Sequence, residues 1–136
     1  MKNILIVIIL SLIPLTVPAQ QLFQTMDEVL IDNSRMELLE RSLDQRVTFR
    51  GQQPIDTITY FFLSGKSVAI FYEHRLESDE FVIMYSQLSE ITNTDPTTFR
   101  DEYYKWETES VMYLLSRSTM VVGNATFLRG AFSNGD

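Results

Sequence analysis

The residues best suited to chemistry lie around His74, the single histidine of the chain, which precedes the acidic run ESDE at residues 77–80. Ser78 or Ser86, together with His74 and a carboxylate, would suit a hydrolase triad in which the histidine accepts the serine proton. Neither a G-x-S-x-G turn nor a glycine-rich oxyanion segment accompanies these residues. We therefore predict that His74 is solvated or locally hydrogen-bonded, with no catalytic residue in this region.

A second acidic group, Asp101 and Glu102, directly precedes the aromatic residues of the segment 103–106. Two carboxylates can hydrolyse a glycosidic bond, so this group indicates a small secreted hydrolase or a carbohydrate-active domain as the alternative function. The aromatic rings have a competing explanation, because they recur at i, i+4 and i+7 from Phe99. That spacing predicts one face of a helix that packs on a sheet.

Metal and cofactor chemistry has little support in the sequence. Cysteine is absent, histidine occurs once and no HExxH motif is present, so the usual zinc ligands are missing. The acidic segments 77–80 and 100–102 lack the glycine-centred spacing of a calcium loop. None of the five glycines falls in a dinucleotide or phosphate-binding motif. We expect neither a metal site nor a cofactor.

The N-terminus has the pattern of a signal peptide. Lys2 precedes a 12-residue apolar run from Ile4 to Leu15, which is too short to span a bilayer. Small residues in the sequence VPA predict cleavage after Ala19. We therefore expect residues 1–19 to be a signal peptide and residues 20–136 to form a single α+β domain with no further membrane span.

Composition restricts the compartment and the partners. Loss of Lys2, the single charged residue in 1–19, takes the formal charge from −7 to −8. So acidic a protein is a poor ligand for nucleic acid, which needs a basic surface. Small secreted animal domains usually depend on disulfides, so a cysteine-free exported chain favours a bacterial origin. We expect a periplasmic or extracellular protein of bacterial type.

The local patterns predict helices and strands in alternating groups. Helical periodicity covers 22–32 and 35–45, although the sequence EVLI within 22–32 also suits a strand. Asp95-Pro96 suits the start of another helix. Strand patterns cover 46–50, 57–63, 67–73, 81–88, 108–117 and 119–129, and a break at Gly123-Asn124 is an alternative for the last of them. The order predicts an α+β two-layer sandwich with a mostly antiparallel sheet of five to six strands. One helix is N-terminal and one is inserted before the last hairpin.

The hairpin of residues 57–73 carries apolar side chains on both of its faces. We group Ile58, Tyr60 and Phe62 with Ala69 and Phe71 on one face. The opposite face then carries Phe61, Leu63, Val68, Ile70 and Tyr72. Helices on both faces, or a closed sheet, would bury these rings. Otherwise a homodimer, a protein partner or an apolar small molecule would cover them.

From this excess we predict a non-enzymatic binding or interaction protein that uses an aromatic-rich sheet face formed by Thr57–Glu73 and Phe81–Leu88. A structural subunit of a larger envelope assembly is a third interpretation. The predicted binding residues are aromatic side chains of this sheet: Tyr60, Phe62, Phe71, Tyr72 and Tyr85. Tyrosine suits such a surface because it has an apolar ring and a polar hydroxyl.

Overall fold

The computed structural model describes residues 22–42 and 45–133, and the predicted signal peptide lies outside this part of the chain. Within the described residues the chain forms three helices and eight strands. In chain order these are α1 (Met26–Asp32), β1 (Leu38–Ser42), β2 (Arg46–Arg50), β3 (Ile55–Leu63), β4 (Lys66–His74), α2 (Ser78–Thr92), β5 (Thr97–Phe99), β6 (Tyr103–Glu107), β7 (Val111–Leu115), β8 (Thr119–Asn124) and α3 (Ala125–Ser133). No helix in this part of the chain is long and apolar enough to cross a membrane.

All eight strands belong to one antiparallel sheet with the spatial order β1-β2-β3-β4-β8-β7-β6-β5. The α+β class and the antiparallel sheet agree with the prediction from sequence, whereas the expected number of five to six strands is wrong. The order divides the chain into two similar halves. In each half a helix precedes four sequential strands, and the halves join where β4 pairs with β8.

The β3–β4 hairpin sets the two faces of the sheet. Ser64 and Gly65 have φ angles of 53° and 80°, so a tight turn joins the strands and fixes their register. Tyr60 pairs with Ile70, and Thr59 pairs with Phe71. Because paired residues share a face, Phe71 lies opposite to Tyr60, and the grouping of these two rings on one face is wrong.

Two apolar clusters occupy the two faces. On the face that we call inner, α1 and α2 cover β2, β3, β4 and their neighbours, with Met26, Val29, Met84 and Leu88 among the buried helix residues. On the opposite, outer face, Ala125 and Leu128 of α3 pack against β7 and β8. Helices therefore lie on both faces of the sheet. The expected two-layer arrangement describes the sheet with α1 and α2, whereas α3 adds a third layer over part of the outer face.

The predicted helix at 35–45 is replaced by the edge strand β1. Its helical pattern of leucines is not used for packing, since Leu38 and Leu39 are 48% and 40% exposed. Glu40 forms an ion pair across the sheet with Arg46 of β2. Pairing with β2 therefore outweighs the local helix propensity, which is a weak preference. A capping box is present earlier in the chain, where Thr25 and Glu28 cap the start of α1.

The segments 81–88 and 95–107 exchange the types that the sequence predicted. The predicted strand 81–88 lies inside α2, which begins with a reciprocal capping box between Glu77 and Glu80. The predicted helix after Asp95 is the β5–β6 hairpin. Its turn holds Arg100 and Asp101 at positive φ, and its strands are rich in threonine and aromatic residues that favour sheets.

The C-terminal strand prediction, 119–129, is correct for its first half. Strand β8 ends at Asn124, whose side-chain Oδ1 accepts a hydrogen bond of 2.9 Å from the amide of Phe127. This is the bond of a helix N-cap, so the chain continues as α3. The missed helix matters for function because it covers one half of the outer face.

Candidate functional site

The outer groove lies on the half of the outer face that α3 leaves uncovered. It is a shallow, open depression of about 300 Å³ above β2, β3 and β4. Its lining combines two aromatic rings, hydroxyl groups and charged side chains: Glu40, Arg46, Thr48, Thr57, Thr59, Phe61, Phe71 and Glu73. The register explains this composition, because every second residue of the three strands points to the same side.

Phe61 and Phe71 form the apolar floor of the outer groove. Their ring centroids are 4.9 Å apart with an interplanar angle of 61°, an edge-on contact that holds both rings in place. Both side chains are half-buried and also pack against the cluster below α3. Phe61 further lines an opening beside the hairpin turn, where Phe127 of α3 forms the other side. Phe61 therefore links the outer groove to this second opening beside α3.

The polar part of the groove is largely paired within the chain. The hydroxyl groups of Thr48 on β2 and Thr59 on β3 form a hydrogen bond, with 2.9 Å between their oxygen atoms. Arg46 pairs with Glu40 at 2.5 Å. Glu73 differs: it is exposed, and its carboxylate has no hydrogen bond or ion pair with any residue in the described ranges 22–42 and 45–133. The groove thus offers one uncompensated negative charge next to Phe71.

The outer groove combines an apolar floor with polar side chains and lacks the residues considered for catalysis. An apolar floor with a polar rim resembles the lining of ligand and peptide sites, in which a few polar groups orient the bound molecule. The groove contains neither the histidine nor the serines considered as nucleophiles. Its two carboxylates belong to Glu40, which is neutralised by Arg46, and to Glu73.

Three of the five predicted binding residues are core residues. Tyr60, Phe62 and Tyr72 are 2%, 8% and 5% exposed on the inner face. Burial raises the pKa of Tyr60 to about 12, although a hydrogen bond from Asn33 lowers it in part. Burial likewise raises the pKa of Tyr72 well above its ordinary value. These rings contact α1, α2 and the sheet and are covered within the chain.

The other two predicted residues lie on different faces. Phe71 lines the outer groove. Tyr85 is on α2, where its ring stands edge-on to Tyr104 and Trp106 at 5.1 and 5.2 Å. The structure therefore does not bring the five residues together.

His74 is buried at the end of β4. Its Nε2 lies 3.1 Å from the carbonyl oxygen of Ser116, so this nitrogen carries the proton and donates. Its Nδ1 is buried without a hydrogen-bond partner among the described residues. Burial lowers the pKa of the imidazole, with smaller opposing effects from the Ser116 bond and Asp56. Neither Ser78, which bonds Arg117, nor the exposed Ser86 is hydrogen-bonded to His74.

Asp101 and Glu102 lie in the turn between β5 and β6, and both are exposed. The aromatic residues that follow them alternate between faces, because Tyr104 and Trp106 contact α2 while Tyr103 packs in the outer cluster. The acidic and aromatic cluster expected on one helix face is therefore absent from this segment, since the residues form a hairpin.

Sequence reasoning missed most of the outer groove: Thr57, Thr59, Phe61 and Glu73 were not among the predicted binding residues. One signal was available, since Thr57, Thr59 and Phe61 alternate with Ile58 and Tyr60 and so mark a less apolar face of the hairpin. No group of three or more metal-ligand side chains among the described residues could hold an ion.

Comparison with known proteins adds no relative: no family model, curated sequence or solved structure matches this chain significantly. The proposals that follow are therefore drawn from the residues and their geometry.

Proposed function

We propose that this chain is an exported, non-enzymatic binding protein and that the outer groove is its binding site. The observation that carries the proposal is the asymmetry of the outer face. Helix α3 covers β7 and β8, whereas no helix of the described part of the chain covers the equivalent half above β3 and β4, which has two half-buried phenylalanines in its floor. Partly exposed aromatic rings in a concave surface are typical of interaction sites.

The chemistry of the groove supports a ligand with an apolar part and a polar part. The rings of Phe61 and Phe71 provide apolar contact, and each well-covered aromatic ring buries 150–250 Å² at about 25 cal/mol per Å². The threonine hydroxyls and the Glu73 carboxylate provide hydrogen-bonding groups beside those rings. Export, as expected from residues 1–19, would place this surface in a periplasm or outside the cell.

The test uses the full chain, expressed in a bacterial host and recovered after export. Native mass spectrometry and solvent extraction would identify any molecule that co-purifies, and light scattering across a dilution series would detect self-association. The groove is then filled by Thr59→Arg and, as a second variant, by Thr57→Arg. The matched control is Val82→Arg on α2, a residue that is 60% exposed and remote from the groove lining.

We expect the bound molecule, or the concentration dependence of the mass, to be lost in both groove variants and kept in Val82→Arg. Circular dichroism would first establish that each variant is folded. A protein that is monomeric at every dilution and carries no bound molecule would contradict the proposal. So would a partner that the folded groove variants retain as tightly as the control does.

A further inference from the structure

The two halves of the sheet are related by a pseudo-two-fold rotation about the pairing of Phe71 with Val121. Their strands pair alike: Thr59 with Phe71 and Thr57 with Glu73 in β3–β4, and Leu114 with Val121 and Met112 with Gly123 in β7–β8. The rotation axis is perpendicular to the sheet, so it keeps outer-face residues on the outer face. In the second half, those residues form the surface on which α3 packs.

By this pseudo-symmetry, the outer groove is equivalent to the part of the sheet on which α3 packs. The rotation brings Thr57 to the position of Met112 and Thr59 to that of Leu114. The helix that follows β4 in the chain, α2, is the counterpart of α1 in the second half and packs on the inner face as α1 does. Within residues 22–42 and 45–133, one half of the outer face therefore has a helix and the other half does not.

The dimensions of the open surface suit one helix. A helix with its side chains is about 10 Å wide and neighbouring strands are about 4.8 Å apart, so one helix covers roughly two strands. Helix α3 follows this rule, since it contacts β7 and β8. The open part of the outer face spans β3 and β4, with the ion pair of Arg46 and Glu40 on β2 and β1 at its far border.

The residues of the open half are more polar than those below α3. Where Gly123 lets Leu128 approach the sheet, the equivalent residue Glu73 presents a carboxylate. Thr57 and Thr59 replace Met112 and Leu114, while Phe71 in place of Val121 keeps an apolar centre. A purely apolar helix like the contact face of α3 would leave the Glu73 charge unpaired, at a considerable free-energy cost.

We propose that the outer groove binds an amphipathic helix of another protein, with an apolar side chain on Phe61 and Phe71 and a lysine or arginine paired with Glu73. This inference rests on the proposed function and specifies its ligand. A basic helix is also favoured at longer range, because the chain carries a formal charge of −7. Helices that place an apolar face in a groove are a common mode of recognition.

The test is photo-crosslinking in cells that express and export the full chain. Phe71→p-benzoylphenylalanine places the reactive group in the groove, and Tyr104→p-benzoylphenylalanine, at a 37% exposed ring of the inner-face cluster, is the control. The crosslinked peptide is sequenced by mass spectrometry. The same experiment is repeated with Glu73→Gln, and with Glu109→Gln as an exposed control of equal charge change.

We expect a protein adduct at position 71 and none of the same identity at position 104. Its crosslinked segment should have an apolar face of period 3.6 and a lysine or arginine within one turn. Glu73→Gln should lower the adduct yield about tenfold, the change expected for loss of one charge-assisted hydrogen bond, and Glu109→Gln should leave it unchanged.

Other outcomes separate the two proposals. An adduct at position 71 with an extended or acidic segment, with a second copy of this chain, or with a small molecule would overturn the helix while leaving binding at the groove intact. A basic helix whose yield is equal in Glu73→Gln and Glu109→Gln would overturn the pairing with Glu73. Absence of any adduct specific to position 71 would contradict both the helix and the proposed function.

Discussion

Leu128 of α3 packs directly against Gly123 of β8, so closely that the glycine has no room for a side chain. A β-carbon on Gly123 would lie 2.6 Å from Cδ1 and 2.9 Å from Cγ of Leu128, and 3.1 Å from the carbonyl oxygen of Val68. The small residue thus allows the helix to approach the sheet. The contact belongs to the packing of α3 on β7 and β8, which covers this half of the outer face.

The first prediction concerns that contact. Gly123→Ala should lower the free energy of unfolding by about 1–3 kcal/mol, because the added methyl group overpacks the interface between α3 and β8. Gly130→Ala in the same helix is the control, since a β-carbon there meets no atom within 4 Å. It should be neutral or stabilise by up to about 1 kcal/mol through helix propensity. Denaturant unfolding of the two variants measures both effects, and equal stability would contradict the packing described.

The central hairpin could be predicted from sequence because its determinants are local. Ser64 and Gly65 supply the positive φ angles of the turn, and β-branched and aromatic residues alternate on either side. The face assignment of Phe71 failed nonetheless. A change of one residue in register moves every side chain to the opposite face, so a correct turn with an incorrect register exchanges the two faces of the hairpin.

Helix α2 shows why the remaining elements were exchanged. Residues 81–88 satisfy both periods: alternation suggests a strand, while Phe81, Met84 and Leu88 also recur at helical spacing. The capping box from Glu77 to Glu80 decides the question and was not recognised. Two acidic residues, Asp79 and Glu80, occupy the first turn, where they suit the helix dipole.

The outer groove could not be predicted from local patterns, because it depends on contacts between distant segments. It exists because β4 pairs with β8 and because α3 turns back onto β7 and β8. Phe71 was predicted as a binding residue while Phe61, its partner in the floor, was not. Contacts between distant segments of the chain determine which face of the hairpin a helix covers, so the hairpin sequence alone does not predict it.

The second prediction concerns the single tryptophan, Trp106. Its indole Nε1 donates a 3.0 Å hydrogen bond to Oγ of Ser89 on α2, and its side chain is fully buried. Ser89→Ala should cost about 1–3 kcal/mol of unfolding free energy, because the buried N–H group loses its partner. Ser86→Ala, at an exposed position of the same helix, should change stability little. Unfolding followed by Trp106 fluorescence reports both, and equal midpoints would refute a structural role for this bond.

The third prediction concerns the turn between β5 and β6. Asp101 has a φ of 58°, a left-handed conformation that glycine adopts without the steric cost of a β-carbon. Asp101→Gly should therefore stabilise the fold by about 0.5 kcal/mol after the greater chain entropy of glycine is included. Asp95→Gly removes the same charge at an exposed residue outside the positive-φ set and should not stabilise. Thermal unfolding should give a higher midpoint for Asp101→Gly than for Asp95→Gly. Equal midpoints would contradict a steric cost at Asp101.

The fourth prediction is acid sensitivity that arises at His74. Because burial lowers the pKa of this imidazole, the unfolded chain takes up its proton at a higher pH than the folded chain does. The stabilising effect of the neutral ring is therefore complete above the unfolded pKa of about 6.5. It decreases as the pH falls towards the folded pKa, by at most about 1.4 kcal/mol per pH unit.

His74→Gln keeps a neutral donor near the Ser116 carbonyl but cannot titrate. Comparison of the two unfolding free energies from pH 7.5 to 5 should show a steeper decrease in the protein with His74. Parallel curves would mean that another group carries the acid dependence, since the substitution removes this proton equilibrium alone.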